Sequence, residues 1–491
     1  MKKIPFLLFL SFLSLPQISL ARDVRPTLFI ALDGVPYSLM QELKEKGHFR
    51  DFQKPTKVIT TFPSTTTSGF SGMFETIGAG KPPGYDEKYF SEKDQRVKGS
   101  ILGGLEHGQH DYREIFDFYR ETLGSQFMMY FSPLHTAKND LKRIKKIIWK
   151  QPQKHYYYVY IGSTDGMGHI AGEKRLRKWL LHFDTWLKTT AEEYQKTFQT
   201  EIDIVLFSDH GFQFHKLKPM TIHEVKARLK QENLLLENKI RNHNSVVSIS
   251  WGNISGASFY LNPSFVAQTA HVLTEIEGMD LVFYRYEDRI VILSKEKALQ
   301  RAHILFDAHR NAFAYLPLQG DPLGYQTVLK KLQSQGKLDE KGFAYDRDWF
   351  EATANHHHPD ALYRLYAAFY SLVQNPAAIL CSIHPKYEFG DFWTRFGASF
   401  KGGFKGTHGG LFQESSEAFT MVTNAAHYRS GPIRYNEVFL PFVKTFLTAE
   451  NFPWKKELET LVRKDNRELH TPHILHVQKQ YQVSPQPQAG L

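Results

Sequence analysis

The sequence predicts an α/β fold, a mostly parallel central sheet flanked by helices, carrying an inserted α+β cap. Two observations predict it. Short apolar runs ending in small or polar residues alternate with stretches of helical periodicity, the pattern of strands joined by crossover helices. From residue 213 to 375 that texture gives way to longer alternating runs among basic helices. The strands of the first kind are read in TLFIALDG (27–34), SQFMMYFS (125–132), HYYYVYIGS (155–163) and IDIVLFSDHG (202–211). The clearest helix follows residue 172, where Leu176, Trp179, Leu180, Phe183 and Leu187 recur at helical spacing among charges. In the changed region, SFYLN (258–262), LVFYRYEDRIVILS (281–294) and NAFAYLPLQ (311–319) read as antiparallel strands. AAILCSI (377–383) reads as the return to the main domain.

A chain of 491 residues suits one large domain with a substantial insertion. The expected division is 22–212 plus 376–470 for the main domain, 213–375 for the cap, and a Gln/Pro-rich disordered tail at 471–491. Residues 1–21 place two lysines before a long apolar run, then Ser19 and Ala21 at cleavage spacing, which reads as a cleavable secretory signal. Pro5 and Pro16 keep that run below the roughly 20 residues needed to span a membrane, so a periplasmic or secreted protein without a stable membrane anchor is expected. Loss of Lys2 and Lys3 lowers the formal charge from +10 to +8. The basic excess is spread along the chain rather than clustered with aromatic residues or glycines, so it favours anionic small molecules over nucleic acid. Composition says nothing of oligomeric state. Cys381 is the sole cysteine, which rules out an internal disulfide and a thiolate cage. A metal, if bound, must be held by His, Asp and Glu.

Five places carry candidate chemistry. Asp33 ends an apolar strand and Gly34 permits a sharp turn. ITTFPSTTTSGFSGMF crowds Thr60, Thr61, Ser64, Thr65, Thr66 and Thr67 around Pro63 before a small-residue segment able to start a helix, whose N–H groups would suit a phosphate. In YIGSTDGMGHIAG, Asp165 and His169 stand four apart, which on a helical turn puts a carboxylate and an imidazole on one side. VLFSDHGF sets Asp209 and His210 directly after a buried strand. Gly406-Thr407-His408-Gly409-Gly410 isolates an imidazole in glycine-rich backbone.

Taken in order, Asp, Thr, Asp-x-x-x-His, Asp-His and a glycine-flanked His resemble the metal site of the alkaline phosphatase superfamily, in particular its type I phosphodiesterase/nucleotide pyrophosphatase branch. The resemblance runs from about residue 27 to 411. It implies an alkaline phosphatase-like fold and two divalent ions, usually zinc in the relatives that use this set. Asp33, Thr61, Asp209 and His210 would surround one ion, and Asp165, His169 and His408 the other. It also implies a Thr nucleophile two residues before a proline, which points to Thr61 before Phe62-Pro63 rather than to Thr60, Ser64 or Thr65. The implied function is hydrolysis of phosphodiester or pyrophosphate bonds in a small-molecule phosphoester through a phosphothreonine. Phosphomonoester hydrolysis or transfer, and non-catalytic metal or anion binding, are the alternatives.

The branch also uses an Asn some twenty residues after the nucleophile, where this chain reads GYDEKYF (84–90). Tyr85 and Lys88 are the possible substitutes there, and Asp86 or Glu87 would repel a phosphate unless protonated or turned away. The sulfatase motif is absent. His356, His357 and His358 read as a solvated loop, and His107, His110 and His135 as surface residues.

Overall fold

The computed structural model describes residues 25–99, 111–119, 128–250, 254–390, 399, 402–449 and 452–467. The leader at 1–21, the tail at 471–491, His107 and His110 lie outside the described residues.

The central sheet has six strands in the order Ile433–Arg434, Thr56–Ile59, Glu417–Val422, Asp203–Phe207, Thr27–Leu32, Tyr156–Ile161. Only Glu417–Val422 runs against the others; the rest are parallel. Period-two alternation divides the sheet's side chains between two cores. Phe29, Ala31, Tyr158, Tyr160, Val205 and Phe207 face the layer holding helices Thr66–Glu75 and Val443–Thr448. Leu28, Ile30, Leu32, Val159, Ile161 and Leu206 face the layer of helices Tyr37–Glu45, Pro133–Lys150 and Glu173–Phe198. The stripe Leu176, Trp179, Leu180, Phe183 and Leu187 belongs to the last of these and is buried as its spacing predicts. Burial on both faces explains why these strands are nearly continuous apolar runs.

A second sheet of nine strands, antiparallel but for the pair Leu235–Glu237 and Ser245–Ser250, occupies most of the changed region. Its longest hairpin joins Leu299–Asp307 to Ala312–Gln319. Two expectations fail here. The run at 377–383 forms strand Ile379–Ile383, which pairs with Gly256–Leu261 and Met279–Tyr286 in the second sheet and not with the central one. An apolar run announces burial on both faces but not the identity of its neighbours. The run at 125–132 is no strand in its described part: residues 128–131 are helical and lead into helix Pro133–Lys150. An uninterrupted apolar stretch lacks the alternation that would distinguish the two. Among the described residues no helix is long and apolar enough to cross a membrane.

Candidate metal centre

The parallel strands deliver their carboxyl ends to one side of the sheet, where a strand-end cleft is expected in an open α/β fold. Asp33 follows strand Thr27–Leu32, and Gly34 after it takes φ +64°, a conformation that lets its N–H donate to Asp209 Oδ1 at 3.1 Å. Asp165 and His169 lie on helix Ser163–Ala171, which follows strand Tyr156–Ile161, and His169 Nε2 stands 3.3 Å from Asp165 Oδ1. Asp209 and His210 follow strand Asp203–Phe207. His408 arrives from the far end of the chain. Bridges between Gln213 and Thr407 and between Ser64 and Gly409 hold its segment between two site loops.

All six are buried, each 5 % exposed or less. The donor atoms of Asp33, Asp209 and His210 lie within 4.8 Å of one another, as do those of Asp165, His210 and His408. The expected six donors therefore converge, with one difference in grouping: His210 lies between the two sets, and its ring stacks on His408 at 3.8 Å between centroids. His169 reaches the second set through Asp165.

The histidines share one hydrogen-bonding pattern. His169 Nδ1 lies 3.0 Å from the Gly406 carbonyl, His210 Nδ1 2.9 Å from that of Gly211, and His408 Nδ1 2.8 Å from that of Ser64. A carbonyl can only accept, so each Nδ1 carries the proton and each Nε2 turns toward the carboxylates. Nε2 of His210 is 3.3 Å from Asp33 Oδ1 and 3.4 Å from Asp209 Oδ2, and Nε2 of His408 is 3.5 Å from Asp165 Oδ1. Asp165 Oδ1 and Asp209 Oδ2 are buried and accept no hydrogen bond among the described residues. Three buried carboxylates facing three imidazole lone pairs form an assembly that calls for cations. Burial and then Asp33 raise the Asp209 carboxyl well above its usual range. Burial opposes a proton on His210, yet Asp209, Asp33 and Asp165 together lift its pKa to about 10. These residues form two groups that could hold metal ions.

The hydroxyls separate in an unexpected way. Thr61 Oγ1 donates to the Pro63 carbonyl at 3.0 Å and lies 3.2 Å from Ser68 Oγ, so it faces back into its own turn. The expectation that Thr61 faces an ion does not fit this geometry. Thr66 does face the cluster: its Oγ1 is 3.3 Å from Asp33 Oδ1 and 3.5 Å from His210 Nε2. The reason is local. Thr65 caps helix Thr66–Glu75, so Thr66 is the first helical residue and stands at the positive end of the helix dipole. The small residues after Pro63 were the only sequence signal for it.

Two tyrosines complete the surroundings and had no sequence signal. The Tyr160 hydroxyl donates to Asp33 Oδ2, and that of Tyr130 donates to Asp165 Oδ2 at 3.1 Å. Tyr85 is no substitute for a phosphate-binding amide, because its hydroxyl donates to the Ala368 carbonyl at 2.8 Å inside the second core. Burial and then Glu87 push the Asp86 pKa up to about 7, which removes its expected repulsion below neutral pH. The run His356–His358 stays out of the cluster. Only His357 is exposed; His356 bonds the Gly324 carbonyl and His358 is buried against Phe412, so the solvated-loop reading holds for one of the three. His135 is exposed.

The family described as Type I phosphodiesterase / nucleotide pyrophosphatase matches residues 74–286. No curated protein matches the chain in sequence. Among solved structures, human ectonucleotide pyrophosphatase / phosphodiesterase 5 is 9 % identical with a TM-score of 0.46, over 87 % of this chain and 96 % of that one. An inactive variant of the murine counterpart, in complex with AMP, is 10 % identical with a TM-score of 0.43, over 84 % and 93 %. Phosphonoacetate hydrolase from Sinorhizobium meliloti 1021, in complex with phosphonoformate, is 12 % identical with a TM-score of 0.43, over 84 % and 94 %. Asp33, Thr66 and His408 lie outside the matched stretch. Residues 74–286, which hold Asp165, His169, Asp209 and His210, thus match the domain of the type I phosphodiesterase / nucleotide pyrophosphatase family.

Proposed function

We propose that this protein hydrolyses phosphodiester or pyrophosphate bonds of a small-molecule phosphoester, with Thr66 as nucleophile, at a centre for two zinc ions. Asp33, Asp209 and His210 hold one ion, and Asp165, His169 and His408 hold the other. The observation that carries the reading is the shared orientation of the three histidines, each with Nδ1 tied to a backbone carbonyl and Nε2 turned to unpartnered carboxylates. Divalent ions bound there supply charge neutralisation for the phosphoryl oxygens and a lower pKa for a nearby hydroxyl. Imidazole and carboxylate donors suit zinc.

The chain's own residues do the rest. Thr66 sits at the amino end of its helix, where backbone dipoles favour an anionic phosphoryl group. Its hydroxyl is directed at Asp33 Oδ1. Attack forms the Thr66 Oγ1–P bond and breaks the bond from phosphorus to the leaving oxygen, which departs with the electron pair. Water then cleaves the phosphothreonine and restores the hydroxyl. Tyr160 fixes Asp33, and the Gly34 N–H fixes Asp209, so neither carboxylate must reorganise during the reaction. The insertion shapes the leaving-group side of the cleft, and the leader at 1–21 directs the protein to the periplasm or the outside.

Metal analysis of purified protein together with bis-aryl and mono-aryl phosphates, with an aryl sulfate as control, tests this. We expect two equivalents of metal per chain, diester turnover abolished by a chelator and restored by zinc, and no sulfatase activity. A preference for the monoester would move the protein to the phosphomonoesterase alternative. Retained turnover without metal would remove the reading altogether.

A further inference from the structure

Arg364 lies in the first turn of helix Ala361–Tyr370, whose Ala361, Leu362, Leu365 and Phe369 belong to the core of the second sheet. It is 1 % exposed, and burial lowers its pKa to about 10, so it is a cation at neutral pH. Among the described residues it makes no hydrogen bond to a carboxylate. Its Nη2 donates to the Thr61 carbonyl at 2.9 Å, and its Nη1 to the carbonyls of Pro359 at 3.0 Å and Leu411 at 3.5 Å. The adjacent carboxylate, Asp360, gives both oxygens to Arg434. Burying a guanidinium is costly, and a planar fork that meets only backbone carbonyls fixes chain segments in place rather than pairing charge.

Two of those segments complete the site. Thr61 opens the turn that runs through Pro63 and Ser64 to Thr66, and Leu411 closes the glycine-rich stretch that carries His408. At the cluster the two are joined directly. His408 Nδ1 donates to the Ser64 carbonyl at 2.8 Å, Gly409 N donates to Ser64 Oγ at 3.1 Å, and Ser64 Oγ donates to the Gly410 carbonyl at 3.0 Å. Arg364 spans them at their other end. Phe62, in the same turn, packs its ring on that of Phe283 in the second sheet at 5.4 Å between centroids. Between Thr61 and Thr65, and between His408 and Leu411, the backbone forms no helix or strand beyond the isolated bridge of Ser64 with Gly409, so these contacts set the distance from Thr66 to His408. We propose that Arg364 is a positioning residue that holds the His408 imidazole in register with Thr66, so that the region of the second sheet contributes to turnover without touching substrate. This inference rests on the reading of Thr66 as nucleophile at a two-zinc centre.

Arg364→Lys keeps the charge and loses the fork, and Arg364→Met keeps the length and loses both. On the zinc-loaded protein each is expected to lower kcat for bis-p-nitrophenyl phosphate about tenfold or more, with KM within about twofold of wild type. Calorimetric titration with zinc gives a second measure, independent of turnover. His408→Ala identifies the ion that His408 serves, and either Arg364 substitution should weaken that ion about tenfold and the other by less than about threefold. Added to His408→Ala, the same substitution should cost less than about twofold more, because the imidazole it positions is gone. Additive losses, equal losses at both ions, or kcat and zinc affinity unchanged from wild type would overturn the positioning role. Failure of both variants to fold would overturn it too, by making Arg364 a requirement of the fold itself. If the wild type binds no zinc or leaves the ester intact, the reading of the site fails and this inference falls with it.

Discussion

Two clusters of buried charge can be compared directly. Where the central sheet meets the second region, Arg434 donates to both oxygens of Asp346 and both of Asp360, at 2.5–2.9 Å. At the strand ends, Asp33, Asp165 and Asp209 are equally buried, yet two of their oxygens accept nothing among the described residues. The first cluster brings its own cation, which donates to every carboxylate oxygen in it. The second brings carboxylates and imidazoles, with no arginine or lysine bonded to them among the described residues. A satisfied network holds two parts of a protein together, whereas an unsatisfied one is maintained at a cost to the fold and points to a ligand.

The largest effect we expect separates the two threonines. Thr66→Ala should lower turnover of a bis-aryl phosphate by at least about a thousandfold with metal content retained, while Thr61→Ala should stay within about tenfold of wild type. The reverse order would return the nucleophile to Thr61 and place the hydroxyl outside the open cluster. Next comes stability. Arg434→Met leaves two buried carboxylates without their partner and should cost about 3–5 kcal/mol in urea unfolding. Asp209→Asn in metal-free protein should cost nothing or add about 1 kcal/mol, since Asp209 Oδ2 accepts no hydrogen bond among the described residues and burial with Asp33 already disfavours its charged form, but it should abolish tight metal binding. Comparable destabilisation by both substitutions would erase the distinction between the clusters.

The smallest effect lies in the second sheet. Burial and then Glu296 raise the Asp280 pKa to about 7, from about 3.8 in the unfolded chain. The folded protein therefore holds a proton that the unfolded chain has released. The stability this supplies is complete below pH 3.8 and lost as pH rises through 7. Asp280→Asn removes the dependence, so its stability relative to wild type should rise by about 2–3 kcal/mol, a few degrees in melting temperature, between pH 5 and pH 8. A constant difference across that range would show that Asp280 is solvated.

How far the sequence could be read differs between these regions for physical reasons. Asp33, Asp165, His169, Asp209, His210 and His408 were legible because each stands at a strand end or beside glycine, where a polar residue is unusual enough to notice. Thr66 was not, because six hydroxyl residues crowd that stretch and the one that faces the cluster depends on where the helix begins, a matter of one residue. The strand at 379–383 was recognised as a strand but placed in the wrong sheet, since burial on both faces is common to the middle of either. Residues 128–131 were misread because an unbroken apolar run fits a buried strand and a helical turn alike. Tyr130 and Tyr160 gave no sign, because a phenol bonding across the fold leaves no local pattern.

The position of His408 has a consequence for biogenesis. A chain emerging from its N-terminus completes Asp33, Asp165, His169, Asp209 and His210 early, then builds strands of the second sheet up to residue 383 before His408 appears. The Ser64 carbonyl holds the His408 ring and the Ser255 N–H holds the His408 carbonyl, one contact from before that excursion and one from within it. A nascent or truncated chain ending before residue 408 thus lacks the imidazole that closes the cluster, so the site is assembled late.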